Sequence, residues 1–161
     1  MITRVMEKMI RYFGQDVRRI NHAMKVYDFA LMISSLEDTD IRTRGIIGYT
    51  AILHDIGIHE AERKYNSTAG NYQQIEGPPI ARQMLTELGV DEDIIERICF
   101  ITGNHHTYNK IDGVDFQILV EADFLVNIYE DEMKREAIES VCERVFRTDA
   151  GKELLRLMYL D

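Results

Sequence analysis

The sequence contains only two cysteines and two prolines. Cys99 and Cys142 lie inside helical patterns, without the close spacing of a zinc or redox motif. We therefore expect reduced thiols packed in the protein core. The two prolines, Pro78 and Pro79, are adjacent, so helix-breaking residues interrupt the chain at only one place.

Long apolar runs and an excess of basic charge are also missing. No apolar run approaches the roughly 20 residues that a helix needs to cross a bilayer. The segment 1–13 is apolar at helical spacing, but charged residues interrupt it, unlike a signal peptide. We therefore expect a soluble, cytoplasmic protein that does not bind membranes.

The charge balance is acidic, with 19 basic against 28 acidic residues and a net charge of −9. Nucleic-acid binders usually present a basic face, so this charge argues against an extended nucleic-acid footprint. It does not argue against a small phosphorylated substrate, because a metal and one or two arginines can reverse the local field inside a pocket.

Helical periodicity recurs throughout the chain, while strand-like alternation is rare. We predict an all-α protein of about seven or eight helices in one domain, residues 1–161. The predicted helices are 1–13, 16–36, 40–56, 78–88, 92–102, 116–129, 131–146 and 150–159. Pro78 and Pro79 should mark the first turn of the fourth helix, and Asp91 and Asp115 should cap the fifth and sixth. The turn-forming residues of 59–72 predict a loop that could cover a site.

The sharpest chemical feature is the pair His54–Asp55, which follows a very apolar segment. A buried carboxylate is costly unless a metal or a hydrogen-bonding partner takes up its charge. Neutral imidazole and carboxylate groups are good ligands for several divalent metals. Alone, the pair is explained equally well by an aspartate that caps the next turn beside a packed histidine.

Two further polar residues lie on apolar helix faces. His22 shares a stripe with Ile33, although a lone histidine there is more often a satisfied core residue. Asp123 lies on the apolar face of its helix, where a carboxylate needs a compensating charge. Together, His22, His54, Asp55 and Asp123 form a plausible set of four metal ligands on three helices.

This ordered set resembles the HD superfamily of metal-dependent phosphohydrolases. Residues 19–22 resemble the family's Arg-x-x-His helix, residues 51–57 its central His-Asp signature, and residues 122–125 its final Ala-Asp-x-Leu segment. The resemblance covers about residues 16–130 and leaves the last two helices, 131–161, outside. It implies an HD-domain helical bundle that binds a divalent transition metal, with Fe, Mn, Zn, Ni and Co all suited to such ligands.

His105 and His106 form a second candidate group. In HD proteins with two or more metals, including the HD-GYP phosphodiesterases and the di-iron oxygenases, histidines in this segment bind a further ion. Those proteins usually have another histidine in the segment that corresponds to residues 73–78, where this chain has none. Glu76 could replace it as an oxygen ligand, although the helix dipole explains a carboxylate there at least as well. We therefore expect one ion rather than two.

The resemblance implies hydrolysis of a phosphate ester or nucleotide by metal-activated water. Asp55 would orient or deprotonate the water, Arg19 would neutralise charge on the phosphate, and His105 would bind the phosphate or protonate the leaving group. The substrate would be a small phosphorylated molecule, most readily a nucleotide, and the acidic C-terminal helices could cap the core or form a homodimer face. Two alternatives stay open: a di-iron oxygenase of the same fold, and a non-catalytic nucleotide-binding or sensor module.

Overall fold

Nine α-helices make up the structure, a computed structural model that describes residues 1–161, and all but α6 and α7 are joined by short turns. The helices are α1 (Ile2–Phe13), α2 (Val17–Leu36), α3 (Ile41–Leu53), α4 (Ile58–Tyr65), α5 (Gly70–Glu87), α6 (Glu92–Thr102), α7 (Val114–Glu130), α8 (Arg135–Arg144) and α9 (Asp149–Tyr159). A 3₁₀ helix, Tyr108–Lys110, precedes α7, and there is no β-strand. The all-α prediction is confirmed.

Helix α2 lies at the centre of the bundle, against α3 on one side and α7 on another. Helices α3 and α7 carry long runs of buried residues, because each is covered by neighbours on more than one face, whereas the buried residues of α2 recur at helical spacing. One core of 32 buried apolar side chains includes residues from all nine helices. None of the helices has both the length and the apolar character needed to cross a bilayer.

Residues that commonly flank the ends of helices predict the bounds of several helices correctly. Helix α1 ends at Gly14, whose φ of 59° is one that glycine adopts without strain. Helix α2 begins after Asp16, whose carboxylate accepts a hydrogen bond from the backbone N–H of Arg19. Helix α6 follows Asp91 as predicted, although the Asp91 side chain makes no capping hydrogen bond.

The predicted loop over residues 59–72 is wrong for most of its length. Helix α4 begins at Ile58, and only residues 66–69 separate it from α5. Ile58 and Ala61 recur at helical spacing and are buried, which holds α4 against the bundle although most of its residues are polar. Asn66 ends the helix in a left-handed conformation with φ of 51°.

The prediction that the two prolines begin a helix is also wrong. Helix α5 begins eight residues earlier, at Gly70, so Pro78 and Pro79 lie inside it. Proline has no N–H, so the carbonyls of Gln74 and Ile75 lose their usual helical donors. The first half of α5 packs against α4, and this packing supports the helix up to the prolines.

Three predicted helix ends also need correction. Asp115 does not cap α7, which begins at Val114 with Gly113 in the cap position; its carboxylate binds Arg97 instead. Helix α3 ends at Leu53, because the residues that follow form a tight turn. Helix α8 is shorter than predicted, since residues 131–134 form a turn before it.

Gly57 lets α4 approach α5 closely. A Cβ at this position would lie 2.7 Å from the carbonyl oxygen of Gln73 and 2.8 Å from the Cα of Gly77, and these are backbone atoms of a helix. We expect Gly57→Ala to lower the free energy of unfolding by about 1–3 kcal/mol, the usual cost of overpacking. Urea denaturation measures this change.

Gly45→Ala is the matched control for Gly57→Ala. Gly45 lies within α3, and a Cβ there would meet no atom within 4 Å. Alanine is the better helix former by about 1 kcal/mol, so this variant should be as stable as the native protein or more stable. Equal stability of the two variants would contradict the close approach at Gly57.

Candidate metal centre

The His54–Asp55 pair lies in the turn between α3 and α4. His54 follows the last residue of α3, and the backbone N–H of Ile58 donates to the carbonyl of Asp55 at 3.0 Å. This turn points both side chains toward α2 and α7. His54 is completely buried, whereas Asp55 faces a polar cavity.

The structure brings His22, His54 and Asp123 together from three separate segments. The Nε2 atom of His22 lies 3.3 Å from the Nε2 atom of His54 and 3.1 Å from Oδ1 of Asp123. The Nε2 atom of His54 lies 3.6 Å from the same carboxylate oxygen. These are three of the four residues that the sequence motifs predict as ligands.

Asp55, the fourth, lies between this group and a second one. Its Oδ2 atom is 3.7 Å from Nε2 of His22 and 3.6 Å from Nε2 of His54. Its Oδ1 atom is 3.4 Å from Nε2 of His105. Asp55, His105 and His106 form a second cluster of donor atoms within 4.8 Å of one another. The two carboxylate oxygens of Asp55 therefore face different clusters.

Three of the histidines are oriented through Nδ1. His54 and His105 place Nδ1 2.8 Å from the carbonyl oxygens of Ala51 and Thr102, respectively. His22 places Nδ1 2.9 Å from a carboxylate oxygen of Glu130. In each of these contacts Nδ1 carries the hydrogen and donates the hydrogen bond. The lone pair of Nε2 therefore faces the site and is free to bind a metal ion. Metal-binding histidines are usually fixed in this way.

A divalent cation fits this set of donors. Two ligand atoms about 2.1 Å from one ion lie roughly 3.0 to 3.4 Å apart, close to the observed separations within the first cluster. In addition, the buried Nε2 atom of His105 has no hydrogen-bond partner. A buried polar atom without a partner is costly, and a cation beside it would remove that cost.

The electrostatics of the cluster also favour a cation. Burial acts to raise the pKa of Asp123, but hydrogen bonds with His22 and His54 hold it well below its usual range. Burial acts to lower the pKa of His54, but the carboxylates of Asp55 and Asp123 raise it to about 9. Two partly buried carboxylates thus draw positive charge into the site, which a proton on His54 or a metal ion can supply.

His106 lies in a different environment from His54. Burial and the neighbouring His105 lower the pKa of His106 to about 4, so its imidazole is neutral near pH 7. Its ring packs on Gly70, where a Cβ would lie 2.7 Å from Cγ of His106. Its Nε2 atom is 3.5 Å from Oε1 of Gln73. The start of α5 therefore positions His106 beside the site.

The structure does not bring Glu76 to either cluster. Its carboxylate accepts hydrogen bonds from Lys64 at 2.6 Å and from the hydroxyl of Tyr65 at 2.9 Å. Both donors lie on α4, the helix that we predicted as a loop, so nothing in the predicted elements indicated these partners. The residue of this segment that does face the site is Gln73.

Sequence reasoning also missed Glu130. Besides His22, its carboxylate binds Lys25, and it lines the same cavity as Asp55. The signal was present, because Glu130 follows Asp123 by seven residues on α7 and therefore lies on the same helix face. Between them, Asn127 donates a hydrogen bond to Asp123 at 2.9 Å.

Replacing Glu130 with alanine should weaken metal binding. Glu130 fixes the ring of His22, and loss of a group that orients a metal ligand typically lowers affinity by about 10- to 100-fold. Titration of the metal-free protein with Zn²⁺ or Mn²⁺ measures this change. Glu132→Ala, which removes an exposed carboxylate without an ion pair from the neighbouring turn, is the control. Unchanged affinity in Glu130→Ala would contradict the orienting role.

The cavity at the site has a volume of about 290 Å³, and the residues that line it are almost all polar. It is lined by Arg18, Arg19, His22, Asp55, Ile58, Thr68, Gln73, His106, Asp123, Asn127, Glu130 and Asp131. Only Ile58 among these is hydrophobic, and no aromatic carbocycle is present. The cavity therefore suits a small, polar, charged molecule rather than an extended apolar one.

The fold and the site together define a helical-bundle protein with a buried cluster of histidines and aspartates. Among solved structures, the chain is similar to a predicted HD superfamily hydrolase from an uncultured Thermotogales bacterium. The two chains share 21% sequence identity with a TM-score of 0.66, over 96% of this chain and 83% of that chain. This protein thus has an HD-domain fold, as the motifs predict. No protein-family model and no curated protein matches the sequence.

Proposed function

We propose that the protein is a metal-dependent phosphohydrolase. The observation that carries the proposal is the placement of two partly buried carboxylates and three imidazole Nε2 atoms beside one polar cavity. Mixed nitrogen and oxygen ligands suit Fe, Mn, Zn, Ni and Co. The solved structure of similar fold is named as a predicted hydrolase, which is consistent with this activity.

His22, His54, Asp55 and Asp123 would hold the ion. When bound, the ion would polarise a phosphoryl oxygen and lower the pKa of a water molecule toward 7 from about 15.7. Asp55 faces the cavity with a carboxylate whose pKa is lowered: burial acts to raise it, but His54 and His105 outweigh that effect. A carboxylate that stays ionised near pH 7 can orient the attacking water and accept its proton.

His105 remains our candidate for the group that binds the phosphate or protonates the leaving group. Its Nε2 atom lies beside Asp55 and has no hydrogen-bond partner, but it is buried behind the residues that line the cavity, so a substrate must reach past them to contact it. His106 suits the acid role less well, because its low pKa leaves it without a proton to give near pH 7. We infer that His106 acts as a neutral donor atom or a hydrogen-bond partner.

The proposed substrate is a small phosphorylated molecule, with a nucleotide as one member of the class. The cavity offers charged and amide groups to a phosphate, but no Phe, Tyr or Trp ring on which a base could stack. A nucleobase would therefore lie outside the cavity, while the phosphate and its neighbouring hydroxyl groups lie inside. The substrate panel should include sugar phosphates beside nucleotides.

A di-iron oxygenase is the second candidate, and the position of Asp55 favours it. One carboxylate oxygen faces His22 and His54, and the other faces His105, so Asp55 could bridge two ions. The absence of a histidine in residues 73–78 counts against a second ion of equal affinity. Two iron ions per chain with consumption of oxygen would favour the oxygenase.

Hydrolysis of phosphate esters by metal-reconstituted protein tests the proposal. Metal-free protein is loaded separately with Mn²⁺, Fe²⁺, Co²⁺, Ni²⁺ or Zn²⁺ and assayed for release of inorganic phosphate from nucleoside monophosphates, sugar phosphates and p-nitrophenyl phosphate, and for cleavage of the diester bis-p-nitrophenyl phosphate. At least one metal should give turnover that a chelator abolishes. A metal-replete protein that hydrolyses no phosphate ester would refute the proposal.

A further inference from the structure

Two adjacent arginines, Arg18 and Arg19, line the cavity from the first turn of α2. Arg19 forms ion pairs with two carboxylates that do not line the cavity. Its Nε atom is 3.2 Å from Asp16 and its Nη2 atom is 3.0 Å from Glu62. These contacts join the start of α2 to α4 and compensate the charge of Arg19. The arginine that the motif predicts for the phosphate thus has other partners.

Arg18 has no such partners. It is exposed, and no carboxylate oxygen lies within 4.0 Å of its guanidinium. The nearby Lys25, by contrast, is paired with Glu130. Arg18 is therefore the one cation lining this cavity that is not already bound to an acid. An exposed arginine is usually only solvated, but this one borders the same cavity as His22 and Asp55.

The position of Arg18 on α2 suits a phosphate bound at the site. Arg18 precedes His22 by four residues, so the two side chains share one helix face about 6 Å apart along the axis. An arginine side chain spans a distance of this size. Its planar guanidinium donates two parallel hydrogen bonds to a phosphate, and the charges strengthen both.

We propose that Arg18 is the residue that binds the substrate's phosphate group. This assignment rests on the proposed phosphohydrolase function for the identity of the substrate, but not for the binding of phosphate itself. Arg19 then has a positioning role, because its ion pairs hold the first turn of α2 in place. The specificity for a phosphorylated substrate would depend on a side chain outside the Arg-x-x-His motif.

Binding of inorganic phosphate to the metal-loaded protein tests the proposal directly. Isothermal titration calorimetry compares the native protein with Arg18→Gln, Arg18→Lys and Arg4→Gln. Arg4 is the matched control, because it is an exposed arginine in the first turn of α1 that also lacks an ion pair. The metal content and melting temperature of each variant show that the site and fold are intact.

Arg18→Gln should weaken phosphate binding by about tenfold or more, the size of effect expected for a charge-assisted hydrogen bond. Arg18→Lys should recover part of the loss, since it keeps the charge but not the fork of donors. Arg4→Gln should bind phosphate like the native protein. Raising the salt concentration should weaken binding in the native protein more than in Arg18→Gln, because an exposed charge is screened.

Equal phosphate affinity in Arg18→Gln and the native protein would overturn the assignment, as would a native protein that binds no phosphate. A different result would refute the proposed phosphohydrolase function. If phosphate binds and Arg18→Gln weakens it, but no phosphate ester is hydrolysed, the protein is not a phosphohydrolase while the role of Arg18 stands. If esters are hydrolysed and the kcat/KM of Arg18→Gln is unchanged, the function stands and the assignment does not.

Discussion

Asp55→Ala should lower the rate of phosphate ester hydrolysis by about 1,000-fold or more, within the range for a group that accepts a proton from the reacting water. The loss of activity should persist at a saturating metal concentration, because the variant lacks both a metal ligand and the group that accepts the proton. One carboxylate oxygen of Asp55 faces His22 and His54, and the other faces His105. No neighbouring carboxylate takes both positions.

Two variants make the Asp55 experiment specific. Asp55→Asn keeps the shape and one oxygen ligand but cannot accept a proton, so it should retain more metal than Asp55→Ala and remain nearly inactive. Asp28→Asn removes an exposed carboxylate of α2 that lies outside the cavity and should be fully active. Asp55→Ala with more than a tenth of the native rate would contradict the catalytic role.

Glu121→Ala should lower the free energy of unfolding by about 3 kcal/mol or more, through a site unrelated to catalysis. Glu121 is a carboxylate of α7 with no exposed surface. It accepts hydrogen bonds from the backbone N–H groups of Arg147 at 2.6 Å and Thr148 at 3.0 Å, from the side chain of Gln117 at 2.7 Å, and from the Thr148 hydroxyl. It therefore ties α7 to the start of α9.

The size of the Glu121 effect follows from the donors that it leaves behind. Each buried donor without an acceptor costs about 1–3 kcal/mol, and α9 also loses a negative charge at its N-terminus. For a chain of this length, 3 kcal/mol corresponds to a melting temperature about 6–12 °C lower. Urea denaturation and thermal unfolding followed by circular dichroism measure both quantities.

Glu153→Ala is the control for Glu121→Ala. Glu153 is exposed on α9 and makes no ion pair, so its replacement should change stability by no more than about 0.5 kcal/mol. Glu121→Gln keeps an acceptor for the backbone donors and should recover part of the loss. A destabilisation of less than 1 kcal/mol in Glu121→Ala would show that the buried contacts contribute little.

Helices whose ends carry local signals could be predicted from the sequence. Gly14, Asp16 and Asp91 mark ends that depend only on neighbouring residues, and the helices that they delimit were predicted nearly to the residue. Helix α4 was missed because its charged residues and the turn formers after it resemble a surface loop. Its buried residues are only Ile58 and Ala61, and it also contacts residues outside the helix that the local sequence does not indicate.

In the candidate site too, some residues could be placed from local sequence patterns, whereas others depend on distant parts of the chain. His22 and Asp123 could be placed because helix periodicity fixes which face each occupies, and the structure brings both to His54. The Glu62 partner of Arg19 and both partners of Glu76 could not, because they lie on α4, whose position depends on tertiary packing. Whether a charged residue forms an ion pair with a residue on another helix can be seen only when the fold is known.

Metal content tests the central claim most directly. Protein purified without chelator is analysed by inductively coupled plasma mass spectrometry beside the double variant His54→Ala/Asp55→Ala, with circular dichroism to show that the variant is folded. We predict about one divalent transition-metal ion per native chain and none in the variant; two ions would add the second cluster, Asp55, His105 and His106, to the metal centre. A native protein that holds no metal after reconstitution, or a variant that holds as much as the native protein, would contradict the account.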